Sequence, residues 1–445
     1  MSETEPHAAP LRGPLVFLHV GDLHLQDAKA QNVIDLNAIL DQIATIAPQN
    51  LFDFVYLPGD LAENGYASEY HILKDALDRH KKLPLRLIPG DHDRQHGRMD
   101  DFHAFAASLG GRLPKPKIWK LDQPPVDNPH PPPATCPDLR PETWPVLPIP
   151  HYCDGKDIQG VRCLFVDMVS PGFGRKGIGL DFRLGGPQTQ WLDEQLTGAR
   201  ADKIPCAVFM HAYPDDLREP DDRLDIAGLF WAHRVRLVEM GHTHYNELAP
   251  DGRTLYAAAR SVGQNEDGSV GYAVAAIDGP VTSWRFRALD RTAPFVLITS
   301  PADRRVATRP TTPENCGMDL DAEGRITVRA VVLSDAPPRY VHCRVDTGPW
   351  VLMERDPDSR CYEAALLWEG NGRSIQVEAV HECWPGHGPD YVDTDVIEPV
   401  IAFSDSAALP PMPQKPGSDA GRIQSWVGKG VRGDQLGPNR YGRKW

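Results

Sequence analysis

Five short apolar runs, each ending in an acid or a histidine, constrain this chain more than any other feature. LVFLHV (15–20) leads into Gly21-Asp22-Leu23-His24, FDFVYLP (52–58) into Gly59-Asp60, and LRLIP (85–89) into Gly90-Asp91-His92-Asp93. CAVFM (206–210) leads into His211, and VRLVEM (235–240) into Gly241-His242-Thr243-His244. Short apolar runs stopped by turn residues read as buried strands. Between them, residues 30–47 place Val33, Leu36, Ile39, Leu40, Ile43 and Ile46 at helical spacing. SEYHILKDALDRH (68–80) is helical with Ser68 as its N-cap, and PQTQWLDEQL opens a helix at Pro187. VRCLFVD (161–167), LYAAA and YAVAAI read as further strands. Strands alternating with helices specify a layered α/β architecture. Ligands of open α/β sheets sit beyond the carboxyl ends of the strands, so one continuous sheet brings the five ends together.

Singly, each piece has a plain reading: GD is a common turn, and a lone His211 is a satisfied polar residue. Five in order at strand ends point instead to a metal site. Carboxylates and imidazoles without a thiolate suit Fe, Mn, Zn or Co. Seven candidate ligands (Asp22, His24, Asp60, Asp91, His211, His242 and His244) are too many for one ion and suit two. A carboxylate can bridge the pair. Two ions ~3.5–4 Å apart clamp the attacking and leaving oxygens of a displacement at phosphorus. A water held by such ions loses its proton near neutral pH, so no Ser or Cys nucleophile is needed.

D-x-H, GD, GDHD, H and GHxH in this order resemble the calcineurin-like metallophosphoesterases, over about residues 15–285. The resemblance implies a β-sandwich flanked by helices around a binuclear metal centre. It implies that Asp22, His24 and His244 hold one metal, that Asp60 bridges, and that Asp91, His211 and His242 hold the other. His92 would be the metal-free histidine that contacts phosphate and assists the leaving group, with Asp93 orienting its ring. The family has Asn where this chain has Asp91. Three carboxylates and a bridging hydroxide then cancel the charge of two divalent ions. That predicts tighter metal retention with weaker Lewis acidity, or a preference for one trivalent ion. The stretches DFVYLPGDLAENGYASEYHILKDAL and LGGPQTQWLDEQL look like the cyclic-nucleotide and glycerophosphodiester phosphodiesterase group. That group has two histidines and then prolines, whereas only His211 and Pro214 stand here. The implied activity is hydrolysis of small organic phosphodiesters. Phosphomonoesterase, nuclease and non-catalytic scaffold are the alternatives.

A formal charge of −14 opposes a nucleic-acid partner and leaves a small phosphate ester as the expected substrate. The N-terminus MSETEPHAAPLRGP has no apolar core of a signal peptide, and no run reaches the ~18 apolar residues of a membrane span. A cytoplasmic chain with no membrane partner is the expectation. The eight cysteines are scattered without C-x-x-C and read as free thiols. Eleven prolines within 124–150 exclude a helix or a central strand, leaving a surface excursion or a wall beside the site. Residues 295–400 alternate at period two and read as an all-β sandwich, similar to immunoglobulin- or fibronectin-like modules. Partner binding, a homo-oligomer interface or a cover for the site are all open to it. The expected divisions are a flexible N-terminus (1–14), a phosphoesterase unit (15–292), the sandwich (293–402) and a basic tail (403–445). From residue 401 on, seven Lys/Arg stand against three Asp.

Overall fold

Phe17 fills the space between two sheets, its ring stacked on Phe54 at 5.3 Å and edge-on to Phe209 at 5.0 Å. The structure, a computed structural model, describes residues 13–400 and 434–435 except 96–97, 121–147, 172–181, 218–224, 252, 266–268, 292–293, 305, 309–312, 370–371, 373 and 382–390. Alternation along Leu15–His19 decides the layering. Leu15, Phe17 and His19 point between the sheets, while Val16 and Leu18 point out under the helices. Each fully buried aromatic of this layer contributes about 1.5–3 kcal/mol.

One sheet has five strands in the order Val281–Ala288, Gly271–Asp278, Leu15–His19, Phe54–Leu57, Leu85–Leu87. The other has seven: Asp434–Gln435, Glu247–Pro250, Leu255–Ala258, Leu237–Met240, Cys206–Phe209, Val161–Phe165, Asp154–Ile158. Leu15–His19, Phe54–Leu57 and Leu85–Leu87 run parallel, as do Val161–Phe165, Cys206–Phe209 and Leu237–Met240. The two sheets form the helix-flanked β-sandwich that the resemblance implied, so the strand ends converge across two sheets and not along one continuous sheet. Three of the five ligand-bearing ends come from one and two from the other.

The helix Gln31–Ile46 buries all six residues of its expected apolar stripe. Ala67–Arg79 starts one residue before the expected cap, so Ser68 is not the N-cap. Glu69 reaches back instead and accepts from the amides of Asn64 and Tyr66, each at 3.0 Å. Gly186–Ala201 opens with Pro187 in its first turn, as the sequence indicates. Paired segments that escaped the sequence reading include Asp154–Ile158, Glu247–Pro250, Val281–Ala288, Asp434–Gln435 and the two strands of a hairpin, Lys117–Lys120 with Pro148–His151.

Beyond residue 294, two four-stranded antiparallel sheets share one apolar cluster that includes Val296, Val328, Val341 and Val377. Arg285 of the preceding sheet holds this unit through Asp393 at 2.7 Å. The described cysteines are all free and buried. Cys136, Cys383, the N-terminus to residue 12, the prolines of 121–147 and the tail apart from 434–435 lie outside the described residues. Among the described residues, no helix is long and apolar enough to cross a membrane.

Candidate metal centre

The turns after the strands carry the site. They hold four non-glycine residues in the left-handed region: His24 (φ 47°), Asp60 (φ 49°), His242 and His244 (φ 64° each). Such backbone costs about 1–3 kcal/mol per residue and collects where function requires it. A Cβ on Gly90 would strike the Asp60 carboxylate and the His211 ring, and one on Gly241 would strike Asp22 Oδ1. Glycine at these two places lets the strand ends converge.

All seven sequence-derived ligands come together. Asp60, Asp91, His211 and His242 offer ligand atoms within 4.8 Å of one another, and so do His24, Asp60 and His244. Asp60 belongs to both groups. Asp22 stands beside them, 3.9 Å from His211 Nδ1 through Oδ1. That oxygen accepts the His242 amide at 2.9 Å, while the Asp22 carbonyl accepts from Val262, Gly263 and the Ser261 hydroxyl.

The nitrogens aimed at the centre carry lone pairs. His211 donates through Nδ1 to the Pro58 carbonyl at 2.8 Å, so the ligand nitrogen of the neutral ring is Nε2. That Nε2 faces Asp91 Oδ1 at 3.0 Å, and His242 Nδ1 faces the same oxygen at 3.1 Å. His24 Nδ1 pairs with Glu63 Oε2 at 3.0 Å, which turns His24 Nε2 toward His244 Nε2, also at 3.0 Å. Acceptors that converge this closely need a proton or a cation among them. Asp22 Oδ2 and Asp60 Oδ2 are buried with no hydrogen-bond partner, which is costly unless a cation meets them. The donor set, the shared carboxylate and the orphaned oxygens fit two metal ions.

The electrostatics agree. Burial and Asp91 push the Asp60 carboxyl up, but His211 and His24 bring it down to about 2. Asp91 stays well below the usual carboxylate range because His211 and His242 outweigh its burial. His211 is raised well above an ordinary histidine, since Asp60 and Asp91 overcome the desolvation that would lower it. His24 is raised too: burial lowers it, and Glu63, Asp60 and Asp22 more than compensate. The cluster calls for positive charge at its centre.

His92 does not take the arrangement the resemblance implied. Its Nδ1 donates to the Glu63 carbonyl at 2.7 Å, not to Asp93. Asp93 accepts from Gly90, Leu61 and Ala62 amides and the Tyr70 hydroxyl. In the one-turn 3₁₀ helix His92–Arg94, neighbouring side chains point to different sides. The expected orienting role of Asp93 is therefore corrected: Asp93 braces the loops that carry Asp60 and Asp91. Burial and Asp60 push its carboxyl up to about 6 against those four donors.

Sequence reasoning missed Glu63. Its carboxylate holds His24, its carbonyl holds His92, and Gln264 donates to it at 3.1 Å. The signal was an acid three residues after Asp60, inside a loop already tied to the site.

The family model described as calcineurin-like phosphoesterase matches residues 15–246, more than half the chain. The chain belongs to this family. The match runs from the strand Leu15–His19 past GHTH, and so takes in all seven candidate ligands of this calcineurin-like phosphoesterase. No curated protein matches. Solved structures with similar coordinates are distant. A dimetal phosphatase from Danio rerio is 14% identical with a TM-score of 0.40, covering 62% of this chain and 96% of that one. Purple acid phosphatase PPD1 from yellow lupin seeds is 15% identical with a TM-score of 0.40, covering 62% and 52%. GAP50, the anchor in the inner membrane complex of Plasmodium, is 14% identical with a TM-score of 0.40, covering 62% and 85%.

Proposed function

We propose that this calcineurin-like phosphoesterase is a binuclear metal-dependent phosphodiesterase of small organic phosphodiesters. The observation that carries the binuclear reading is Asp60, shared by two groups of inward-facing ligands. In this reading Asp22, His24 and His244 would hold one ion and Asp91, His211 and His242 the other, with Asp60 shared between the two groups. The ions supply Lewis acidity for a water and for the phosphoryl oxygens. The chain's residues do the rest. Glu63 and Pro58 carbonyls fix the tautomers of His92 and His211. With Nδ1–H engaged, Nε2 is the ring nitrogen of His92 left to meet the departing alkoxide, and it hands over a proton only from the doubly protonated ring, which returns to the Nδ1–H tautomer. The His92 side chain is 22% exposed, and His242 is 23% exposed, so this side of the cluster is the open one. Phe182 packs against both His211 at 5.8 Å and His242, edge-on at 5.2 Å.

Preference for diesters rests on the sequence around Asp60 and ahead of His211. Charge supports it, because a diester carries one negative charge where a monoester carries two, and three ligand carboxylates already offset the ions. Metal-reconstituted protein is expected to cleave bis(p-nitrophenyl) phosphate faster than p-nitrophenyl phosphate. The reverse order would assign a phosphomonoesterase. Metal analysis with no bound ion, and no turnover after adding Mn or Zn, would assign a scaffold.

A further inference from the structure

Away from the metal centre, the hairpin Lys117–Lys120/Pro148–His151 and the start of the helix Gly186–Ala201 enclose a groove of ≈ 390 Å³. Lys117, Trp119, Pro187, Gln190, Trp191 and Glu194 line it. The two indoles stand 6.3 Å apart at 50°, a ridged surface rather than a flat one. Lys117 Nζ lies over the Trp191 ring at 5.6 Å, and His151 braces Trp119 edge-on at 4.9 Å. Grooves of paired aromatics accept proline-rich segments, whose extended form is populated before binding and so costs little entropy to dock.

We propose that this groove is a docking site for a proline-rich sequence, and that its occupant is residues 123–133 of the same chain, QPPVDNPHPPP. Three observations favour this occupant. Lys120 pairs directly with Pro148, so the segment between them leaves and returns one residue from Trp119, at the rim of the groove. That segment, residues 121–147, holds nine prolines. Residues 123–133 carry Asp127 and no Lys or Arg, opposite in sign to Lys117 of the groove, which Glu194 also lines. At ~3.1 Å per residue of extended polyproline, the few residues before Pro124 suffice to reach the indoles. Short tethers give effective concentrations of about millimolar, so even a weak site is filled in cis.

The test uses two forms of the whole chain: the natural one, and one in which an Asn-Gly turn replaces residues 121–147. A fluorescent peptide of residues 123–133 is titrated against each by anisotropy. The peptide is expected to bind the shortened chain with a submillimolar Kd, and the natural chain at least tenfold more weakly because its groove is filled. Trp191→Ala in the shortened chain is expected to cost tenfold or more, with Trp119→Ala as the second variant and unchanged melting temperature as the fold control. Equal binding to both forms would mean the groove serves a partner and overturns the cis occupant. No binding to the shortened chain, or binding indifferent to both tryptophans, overturns the docking site itself.

Discussion

Tyr70 donates its hydroxyl to Asp93 Oδ1 at 2.8 Å, and with three backbone amides it satisfies the carboxylate that sits between the Asp60 and Asp91 loops. Asp93 is fully buried, and its two oxygens take the Tyr70 hydroxyl and the amides of Leu61, Ala62 and Gly90. Tyr70→Phe should therefore cost stability, about 1.5–3 kcal/mol for a hydrogen bond to a charged acceptor. Asp93→Asn should cost at least as much, because an amide NH₂ would face amide donors. Urea unfolding of the variants measures this. If the pH–rate profile moves while the unfolding midpoint stays, Asp93 acts on His92 after all.

Glu63 links both halves of the site, one by its side chain and one by its backbone. Glu63→Ala removes the partner of His24 Nδ1 but leaves the carbonyl that holds His92. Loss of such a partner behind a ligand typically weakens metal binding 10–100-fold. Glu63→Gln keeps an acceptor and should lose less. Titration of metal-free protein with Mn or Zn by calorimetry reads this directly, and equal affinities in all three proteins would remove Glu63 from the metal's support.

The candidate ligands were legible because each sits within a few residues of its strand, so apolar run and metal-binding side chain are read in one stretch. The partners were not. Pro58 and Glu63 act through carbonyls, which any residue type supplies. Ser261 and Gln264 reach Asp22 and Glu63 from more than 200 positions away. The split into two sheets is a matter of strand order, which local periodicity does not encode. Asp93 misled because adjacency in the chain is not adjacency in space: one step around a tight helical turn sends the next side chain elsewhere.

Asp91 is the position where this chain carries an acid in place of the family's Asn. His211 Nε2 and His242 Nδ1 both face its Oδ1, so in the proposed assignment the extra charge falls on one ion. Asp91→Asn keeps a ligand oxygen and removes that charge. The expected outcome is lower metal content after dialysis, together with an acid limb of the pH–rate profile shifted to lower pH, since a less neutralised ion is the stronger Lewis acid. Should metal content and acid limb both stay in place, Asp91 is not an ionised ligand.

His103 offers a pH test outside the metal centre. On the helix Asp100–Ser108 its ring meets Phe102 edge-on and lies against Tyr152, and its Nε2 is buried with no hydrogen-bond partner. Burial lowers its pKa below the usual 6.5, with Asp167 and Asp100 only partly opposing. The unfolded chain therefore takes up a proton at higher pH than the folded one. The stability tied to a neutral His103 is complete above about pH 6.5 and is lost as pH falls toward the lowered folded value. Replacing the imidazole by a ring that cannot titrate, His103→Phe, should remove that part of the slope. Other groups that titrate over pH 5–7 are common to both proteins and cancel in the difference. Measured from pH 7.5 down to 5, the urea midpoint of the natural protein is expected to fall more steeply than that of the variant. Parallel curves would show that His103 is solvated well enough to carry its proton in the folded state.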